Sequence, residues 1–331
     1  MKRTVALTGM LSIMFIVFAV APSWSQTEVK LGLLKLNSMA ACFIGIDKGF
    51  FKAEGLDIKP IWFKSAQPIA VATASGDLDV GAAGTTAGLW NSIGGGLNIR
   101  VVAGRAWEWP GYRLVGLLAD TEKWQEGMKT LNDLKGKRVG ITQFGSTFHY
   151  MLGNIVEKQG MSLEDFKVVA LGGVRTMRDT VISHQIESAF LVEPFITPLV
   201  QEKKAEVMLW VGEHMRYLIG VVIYGDKFMK NRKAAVAFMR GYVKSCKYYY
   251  DNALMKKSKK DYDEILTIMS KYTGKKPSQI AISLPYNVPQ GEIDPGEIQK
   301  QLDWWHAHGL VEKKLSSSDV IDTTFLKEAL K

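Results

Sequence analysis

The feature that most constrains this chain is a repeated alternation between short β-type runs and amphipathic helical stretches. Val29–Leu34 is a run rich in strand-forming residues, and Ser38 then opens an amphipathic stretch that the Gly49-Phe50-Phe51 sequence ends. The same order of strand, loop and helix recurs several times, up to the run Val207–Val211. Such alternation predicts parallel strands joined by helical crossovers, and therefore an α/β fold.

The chain contains two such α/β series, which indicates two lobes. The first series runs to the strand Ile99–Ala103, and the second begins near Leu131. Two longer apolar runs, Tyr112–Ala119 and Tyr217–Tyr224, lie where the chain would leave the first lobe and return to it. From Asn231 onward the pattern is mainly helical, and we expect these helices to pack on the first lobe. The predicted division gives residues 26–117 and 220–331 to lobe I and residues 118–219 to lobe II.

The first 25 residues have the three-part pattern of a secretory signal peptide. Lys2 and Arg3 precede the apolar run Val5–Ala21, and Ser23-Trp24-Ser25 has the small-x-small spacing that signal peptidase cleaves. Their removal would leave 306 of the 331 residues and lower the formal net charge from +9 to +7, because two positive charges and no acid are lost. That length suits two lobes better than one core. We expect an exported protein in the periplasm of a Gram-negative bacterium; a retained membrane anchor is the alternative.

The composition is that of a water-soluble globular protein, with 47% hydrophobic and 23% charged residues. Cys42 and Cys246 are the only cysteines in the sequence, which excludes a disulfide scaffold and a cysteine-based zinc site. Whether the two pair with each other stays open. The positive excess indicates either a solvated surface or attraction of anionic ligands.

The sequence lacks the familiar catalytic and cofactor motifs. It has no G-x-S-x-G, P-loop, H-E-x-x-H or EF-hand pattern. His306 and His308 are two residues apart and would diverge on a helix, so they cannot share a metal ion. The basic cluster at Lys256-Lys257 and Lys259-Lys260 has no interleaved aromatic residues and indicates a solvated helix end. We therefore expect no enzymatic activity, no cofactor, no metal and no nucleic-acid partner.

Four short motifs, in order and at matching spacing, resemble the nitrate/sulfonate/taurine-type ABC solute-binding proteins. Each is weak alone, and the specificity lies in their register. They are the stretch Lys35–Ser38 followed by Ile46–Ile58, the stretch Ala74–Gly81, the stretch Leu131–Gly140, and Glu193-Pro194. The resemblance covers roughly residues 29–225.

The resemblance implies a type II periplasmic-binding-protein fold, in which two doubly wound lobes are joined by two hinge crossovers and close on a ligand. It also implies ABC permease subunits in the inner membrane as partners, and we expect a monomer. A sensor that presents its ligand to a membrane receptor is an alternative. Thiamine-pyrimidine synthases share this fold family, but they carry a cysteine-rich motif that two isolated cysteines do not form. Relatives carry sulfonates, nitrate, aromatic carboxylates or heterocyclic vitamin precursors, so the ligand stays open.

The candidate ligand-binding residues lie where predicted strands end and helices begin. Ligands of open α/β sheets bind outside the carboxyl ends of the strands, and helix N-termini there offer unpaired N–H donors to an anion. From the first lobe these residues are Asn37, Ser38, Ser65, Ala66, Thr85, Thr86 and Trp107; from the second they are Phe144, Ser146, Thr147, Arg175, Thr176, Glu193 and His214.

Each candidate also has a purely structural interpretation. The Thr85-Thr86 and Ser146-Thr147 pairs are typical helix caps as well as ligand donors. Trp107 and Phe144 would stack on a flat ligand, or else only pack against the protein.

The charged candidates are open in the same way. Arg175 has the planar fork that clamps a carboxylate or sulfonate, although most loop arginines face water. Glu193 caps a helix, binds an amine or only structures its turn, and His214 is a polar residue near the return crossing. Because neutral donors and aromatic rings outnumber charges, we expect a small organic anion with a flat or apolar portion.

Overall fold

The computed structural model describes residues 26–331, and the proposed signal peptide at residues 1–25 lies outside them. Two separate five-stranded sheets organise the described residues. In spatial order the first sheet consists of β2 (Leu56–Trp62), β1 (Thr27–Leu33), β3 (Val80–Gly84), β10 (Tyr217–Tyr224) and β4 (Arg100–Glu108). The second consists of β7 (Lys167–Ala170), β6 (Arg138–Ile141), β8 (Ser188–Val192), β5 (Val115–Asp120) and β9 (Ala205–Trp210).

Both sheets are mixed, and their patterns match. β1 runs parallel to β2 and β3, and β6 runs parallel to β7 and β8. β10 pairs antiparallel with β3 and β4, and β5 pairs antiparallel with β8 and β9. In each sheet the antiparallel strand is the one that the chain enters directly after crossing from the other sheet. The predicted α/β fold of two doubly wound units is confirmed.

Helices connect the strands and cover the sheets. Before the first crossing they are α1 (Ala40–Asp47), α2 (Phe50–Ala53), α3 (Ala66–Ser75) and α4 (Ala87–Gly94). The second sheet carries α5 (Thr121–Gln125), α6 (Thr147–Glu157), α7 (Val174–Ile182), α8 (Ile196–Gln201) and α9 (Val211–His214). The remainder comprises α10 (Asp226–Lys230), α11 (Arg232–Tyr249), α12 (Lys259–Thr273), α13 (Pro277–Ile280), α14 (Pro295–Ala307), α15 (Ser317–Val320) and α16 (Thr324–Ala329). Short 3-10 turns lie at Asn37–Met39, Asn132–Leu134 and Leu163–Asp165, and a π-turn at Tyr250–Leu254 continues α11.

The two runs expected to carry the chain between lobes each contribute a strand to one sheet instead. The run Tyr112–Ala119 contributes β5, which pairs only within the second sheet, and Tyr217–Tyr224 is β10, which pairs only within the first. The crossings are the short segments 109–114 and 211–216 between these strands. Long apolar runs indicate buried strands, but periodicity does not show in which sheet a strand is buried.

Two of the C-terminal helices, α11 and α12, pack on the helices that follow β1. Helix α11 contacts α1 and α2, and α12 contacts α1. Phe51 of α2 and Phe238 of α11 stack with ring centroids 4.6 Å apart, and both side chains are fully buried.

Pro194, which the sequence analysis places at the start of a helix, lies before α8, and the Glu193–Pro194 peptide is cis. Within residues 26–331, no helix is both long enough and apolar enough to cross a bilayer.

Candidate functional site

The carboxyl ends of the parallel strands of both sheets face one another across a gap. The N-terminal ends of α3 and α4 come from the first sheet, and those of α6 and α7 come from the second. All four line one small cavity of about 50 Å³, hereafter the inner cavity. The N–H groups of a helix's first turn have no partner within the helix, so four sets of backbone donors converge there.

The wall of the inner cavity combines neutral donors with one cation. Its hydroxyls are those of Ser38, Ser65, Thr86, Thr142, Ser146 and Thr147, its amides are Gln67 and Gln143, and its cation is Arg105. Apolar side chains complete it, among them Leu34, Leu36, Phe148, Val174, Val192 and Ile219. This arrangement can bind an anion through hydrogen bonds and charge while packing a short apolar portion.

Two of the hydroxyls also cap helices. Thr86 Oγ1 accepts a hydrogen bond from the N–H of Leu89 at 3.2 Å, and Ser146 Oγ accepts one from the N–H of His149 at 3.4 Å. Both hydroxyls therefore hold their helix ends in place, and a cap of this kind contributes about 1 kcal/mol.

The two sheets' loops touch around the cavity, so the structure is a closed form. The N–H of Ala87 donates to the carbonyl of Gly145 at 2.9 Å. Gln143 Nε2 donates to Gln67 Oε1 at 2.7 Å. At Gly145 the backbone has φ +76°, and a Cβ there would lie 3.0 Å from the Cβ of Ala87, so glycine permits this close approach.

Arg105 is the main electrostatic feature of the inner cavity. It lies on β4, is 4% exposed, and donates from Nη1 to the carbonyl of Ser38 and from Nη2 to the carbonyl of Ala83. Its Nε has no hydrogen-bond partner, and within residues 26–331 the guanidinium forms no ion pair. Burial lowers the pKa of Arg105, yet an arginine side chain stays charged in proteins. The cavity therefore contains a positive charge that the described residues do not neutralise.

Gly220 provides the space for this guanidinium. A Cβ at Gly220 would lie 2.6 Å from Cζ of Arg105, which is closer than real side chains approach. Because Gly220 is on β10, the strand beside β4, the first sheet itself fixes the position of the charge.

A second chamber adjoins the inner cavity. It has a volume of about 390 Å³ and shares Leu34, Leu36 and Val174 with the inner cavity. We call it the vestibule; its further lining is Lys35, Trp62, Phe63, Lys64, Gly173, Arg175, Thr176 and Phe195.

The structure brings eight of the fourteen sequence-derived candidates to these two spaces. Ser38, Ser65, Ala66, Thr86, Ser146 and Thr147 line the inner cavity, and Arg175 and Thr176 line the vestibule. The rule that ligand contacts follow strand ends therefore selects loops that line these two spaces. Whether these side chains contact a ligand stays a prediction.

Asn37, Thr85 and Trp107 lie behind the cavity wall. Asn37 is buried, and its amide donates to the carbonyl and the hydroxyl of Ser283. Thr85 Oγ1 is 2.7 Å from the hydroxyl of Tyr217, so it joins β10 instead of facing the cavity. Trp107 is buried, and its ring packs at 6.0 Å against that of Trp109, in the first crossing.

The other three candidates come from the second sheet's loops and also lie off the cavity wall. Phe144 is 56% exposed, with its ring 5.6 Å from the ring of His149. Glu193 is fully buried. Its carboxyl accepts hydrogen bonds from the N–H and the hydroxyl of Thr197, and so it caps the first turn of α8. His214 ends α9 at the surface, where its carbonyl accepts a bond from Lys158 at 3.4 Å.

The polar residues of the inner cavity that sequence reasoning missed are Gln67, Arg105, Thr142 and Gln143. The predicted strand ended at Ala103, whereas β4 runs on to Glu108. The available signal was a charged residue within an otherwise apolar strand, because arginine is rarely fully buried unless it has a partner. The two glutamines give no such signal, since their pairing depends on how the lobes meet.

Two titratable groups near the site have strongly shifted pKa values. Burial lowers the pKa of His149 to about 4, and its Nδ1 accepts a hydrogen bond from the N–H of Gly145 at 3.1 Å. His149 is therefore neutral near pH 7 and adds no charge. Burial raises the pKa of Glu193 to about 7, against the opposing effect of its bonds from Thr197.

Sequence comparison assigns a family profile to most of the chain. The profile described as NMT1/THI5 like matches residues 37–253. A protein of Brucella abortus (strain 2308), named only as a candidate binding protein, is 30% identical over 153 residues, which cover 46% of this chain and 44% of that protein. The match thus spans less than half the length of this curated relative.

Solved structures with the same fold include binding proteins and an enzyme. The alkanesulfonate-binding protein SsuA of Xanthomonas axonopodis pv. citri, bound to MOPS, aligns with TM-score 0.75 at 16% identity, covering 90% of this chain and 99% of that one. The nitrate-binding protein NrtA of Synechocystis PCC 6803 aligns with TM-score 0.73 at 15% identity, covering 92% and 88%. The desulfurization enzyme DSZB aligns with TM-score 0.65 at 13% identity, covering 92% and 99%. At these identities the likeness establishes the fold.

Proposed function

Because the chain belongs to the NMT1/THI5-like family, we propose that it is the extracytoplasmic solute-binding protein of an ABC importer and binds a small organic anion in the inner cavity. In this proposal the ligand enters an open cleft, and rotation about segments 109–114 and 211–216 brings the two sheets together around it. Closure populates the form that the permease recognises. The protein acts as a monomer in the periplasm.

The observation that carries this proposal is Arg105. An uncompensated guanidinium at 4% exposure is costly to bury, and an anionic ligand would offset that cost. The converging helix N-termini add further stabilisation, about 0.3–1 kcal/mol each when exposed and up to about 2 when partly buried. A carboxylate or sulfonate matches this combination of charge and neutral donors.

The named ligands of two structural neighbours are consistent with an anion. One neighbour is named as binding alkanesulfonate and the other as binding nitrate. For the present chain the choice between a sulfonate and a carboxylate rests on the site alone, and both fit it.

The cysteines favour binding over thiol-based catalysis. Cys42 and Cys246 are both free and buried. Burial raises the pKa of Cys42 to about 11 and also raises that of Cys246. A thiol nucleophile needs a lowered pKa and access to substrate, and neither cysteine has these properties.

The experiment is a thermal-shift screen of small carboxylates and sulfonates beside amines and neutral sugars, followed by titration calorimetry of the hits. A ligand at about a hundred times its dissociation constant stabilises the folded protein by roughly 2.7 kcal/mol. Small-angle X-ray scattering with and without the best hit measures closure. If only amines or sugars raise the melting temperature, the anion proposal is wrong.

A further inference from the structure

The inner cavity and the vestibule differ greatly in size. The inner cavity, at about 50 Å³, has room for a few water molecules, since one water needs about 10–15 Å³ of such a cavity. The vestibule, at about 390 Å³, has room for the body of an organic molecule. In the closed form the inner cavity therefore has room for a ligand's head group only. The adjoining vestibule, which shares Leu34, Leu36 and Val174 with it, is the space with room for the body.

Aromatic rings form one side of the vestibule. Trp62 is 38% exposed and is backed by Phe43 and Tyr272, whose ring centroids lie 6.2 and 6.1 Å from its own. Phe63 and Phe195 complete this side. A flat or apolar ligand body would pack on such a surface.

Three cations line the same chamber and come from both sheets. Lys35 and Lys64 follow β1 and β2 of the first sheet, while Arg175 is in the first turn of α7 in the second. All three side chains are exposed, and within residues 26–331 none of them forms an ion pair. Gly173, two residues before Arg175, lies against Lys64: a Cβ there would lie 3.6 Å from the Cβ of Lys64.

Further cations surround Phe195. Lys275 Nζ lies 5.7 Å from the ring centroid of Phe195, and Arg178 Cζ lies 5.8 Å from it. Burial lowers the pKa of Lys275, and the nearby charges of Arg178 and Arg175 lower it further, while Glu202 and Glu193 act in the opposite direction. Closure thus brings like charges from the two sheets together, which opposes it, whereas an anion between them would favour it.

We infer that the vestibule binds a second anionic group, so that the ligand is an elongated dianion with a carboxylate or sulfonate at each end of a flat or apolar body. The inference rests on the proposed function, because the first anionic group occupies the inner cavity. Lys35, Lys64 and Arg175 select the second group, and the aromatic side of the vestibule packs the body between the two.

The test uses calorimetry at low ionic strength with probes that differ only at the far end. These are benzenesulfonate, 4-sulfobenzoate and 4-carbamoylbenzenesulfonate. The last has nearly the shape of 4-sulfobenzoate but carries an uncharged amide in place of the carboxylate. The corresponding 4,4′-biphenyl pair provides a longer body. In at least one body length the dianion binds about tenfold more tightly than the amide. In the double variant Lys64→Ala/Arg175→Ala this ratio falls below threefold, and added salt reduces it in the wild type. The matched control is Lys227→Ala, an exposed lysine away from the vestibule, which leaves the ratio unchanged.

Three other results overturn the inference in distinguishable ways. If the sulfonates bind but dianions gain nothing over amides at either length, the second anionic group is wrong and the proposed function stands. An unchanged ratio in a folded double variant shows that these cations do not select the far end. If no anionic probe binds, the proposed function fails, and this inference fails with it. Circular dichroism and melting temperature check that each variant is folded.

Discussion

Replacing Arg105 by methionine tests the central electrostatic claim. The change removes the positive charge and keeps a long apolar side chain beside Gly220. A charge-assisted hydrogen bond contributes about 1.5–3 kcal/mol, so the dissociation constant of an anion should rise about 10- to 150-fold. Consider a ligand concentration of a hundred times the wild-type dissociation constant. Ligand binding would then stabilise the folded wild type by about 2.7 kcal/mol, and a variant that binds a hundredfold more weakly by only about 0.4 kcal/mol.

Stability without ligand should respond differently. The variant loses the bonds to the carbonyls of Ser38 and Ala83, and each carbonyl left unpaired costs about 1–3 kcal/mol. The variant no longer buries an unpaired cation, however, and removing that penalty stabilises the folded state. We therefore expect a folded protein with a melting temperature close to that of wild type and a much smaller shift on adding ligand.

The assay combines thermal shift and calorimetry with the strongest anion found by screening. Arg100→Met is the matched control, because Arg100 lies at the other end of the same strand and outside the inner cavity. Tight anion binding by a folded Arg105→Met protein would refute the reasoning that the buried guanidinium recognises the ligand.

Three further predictions concern Gly220, Gln143 and Glu193. Gly220→Ala should push the guanidinium of Arg105 aside, costing about 1–3 kcal/mol in urea unfolding and weakening anion binding in calorimetry; wild-type values for both would contradict the close packing. Gln143→Ala removes the 2.7 Å bond to Gln67 and should raise the dissociation constant about 2- to 10-fold while leaving unfolding nearly unchanged, and an unaltered constant would show that this bond does not hold the closed form. The pKa of Glu193 rises from 4.5 to about 7 on folding, so the folded state holds this proton more tightly than the unfolded chain does, and stability falls by about 3 kcal/mol as pH rises through that interval. Glu193→Gln should flatten that part of the urea-midpoint profile between pH 4 and 8, whereas an unchanged slope would exclude Glu193 as its source.

The course of the strands shows where sequence reasoning succeeds. β1, β3 and β6 are short runs that are mostly buried, each followed by a loop and a helix, and local periodicity reports such a pattern directly. The strand-end rule likewise selected Ser38, Ser65 and Ser146, which line the inner cavity, because the end of a parallel strand is a local feature of the chain.

Two adjacent residues, Thr85 and Thr86, show where sequence reasoning fails. Thr85 and Thr86 are neighbours of the same type, yet Thr85 bonds to Tyr217 behind the wall and Thr86 lines the inner cavity. The direction of each side chain depends on the backbone turn between β3 and α4 and on the strand that packs beside it. No periodic pattern in the sequence contains that information.

The sequence by itself determined the two α/β series and the loops that could face a ligand. The tertiary structure decided that Arg105, inside a strand, reaches the inner cavity, and that Gln143 meets Gln67 across the gap. It also decided that Lys64 and Arg175 share one chamber. The physical reason is that burial periodicity is set by neighbours along the chain, whereas the site consists of contacts between segments far apart in sequence that exist only when the two sheets close.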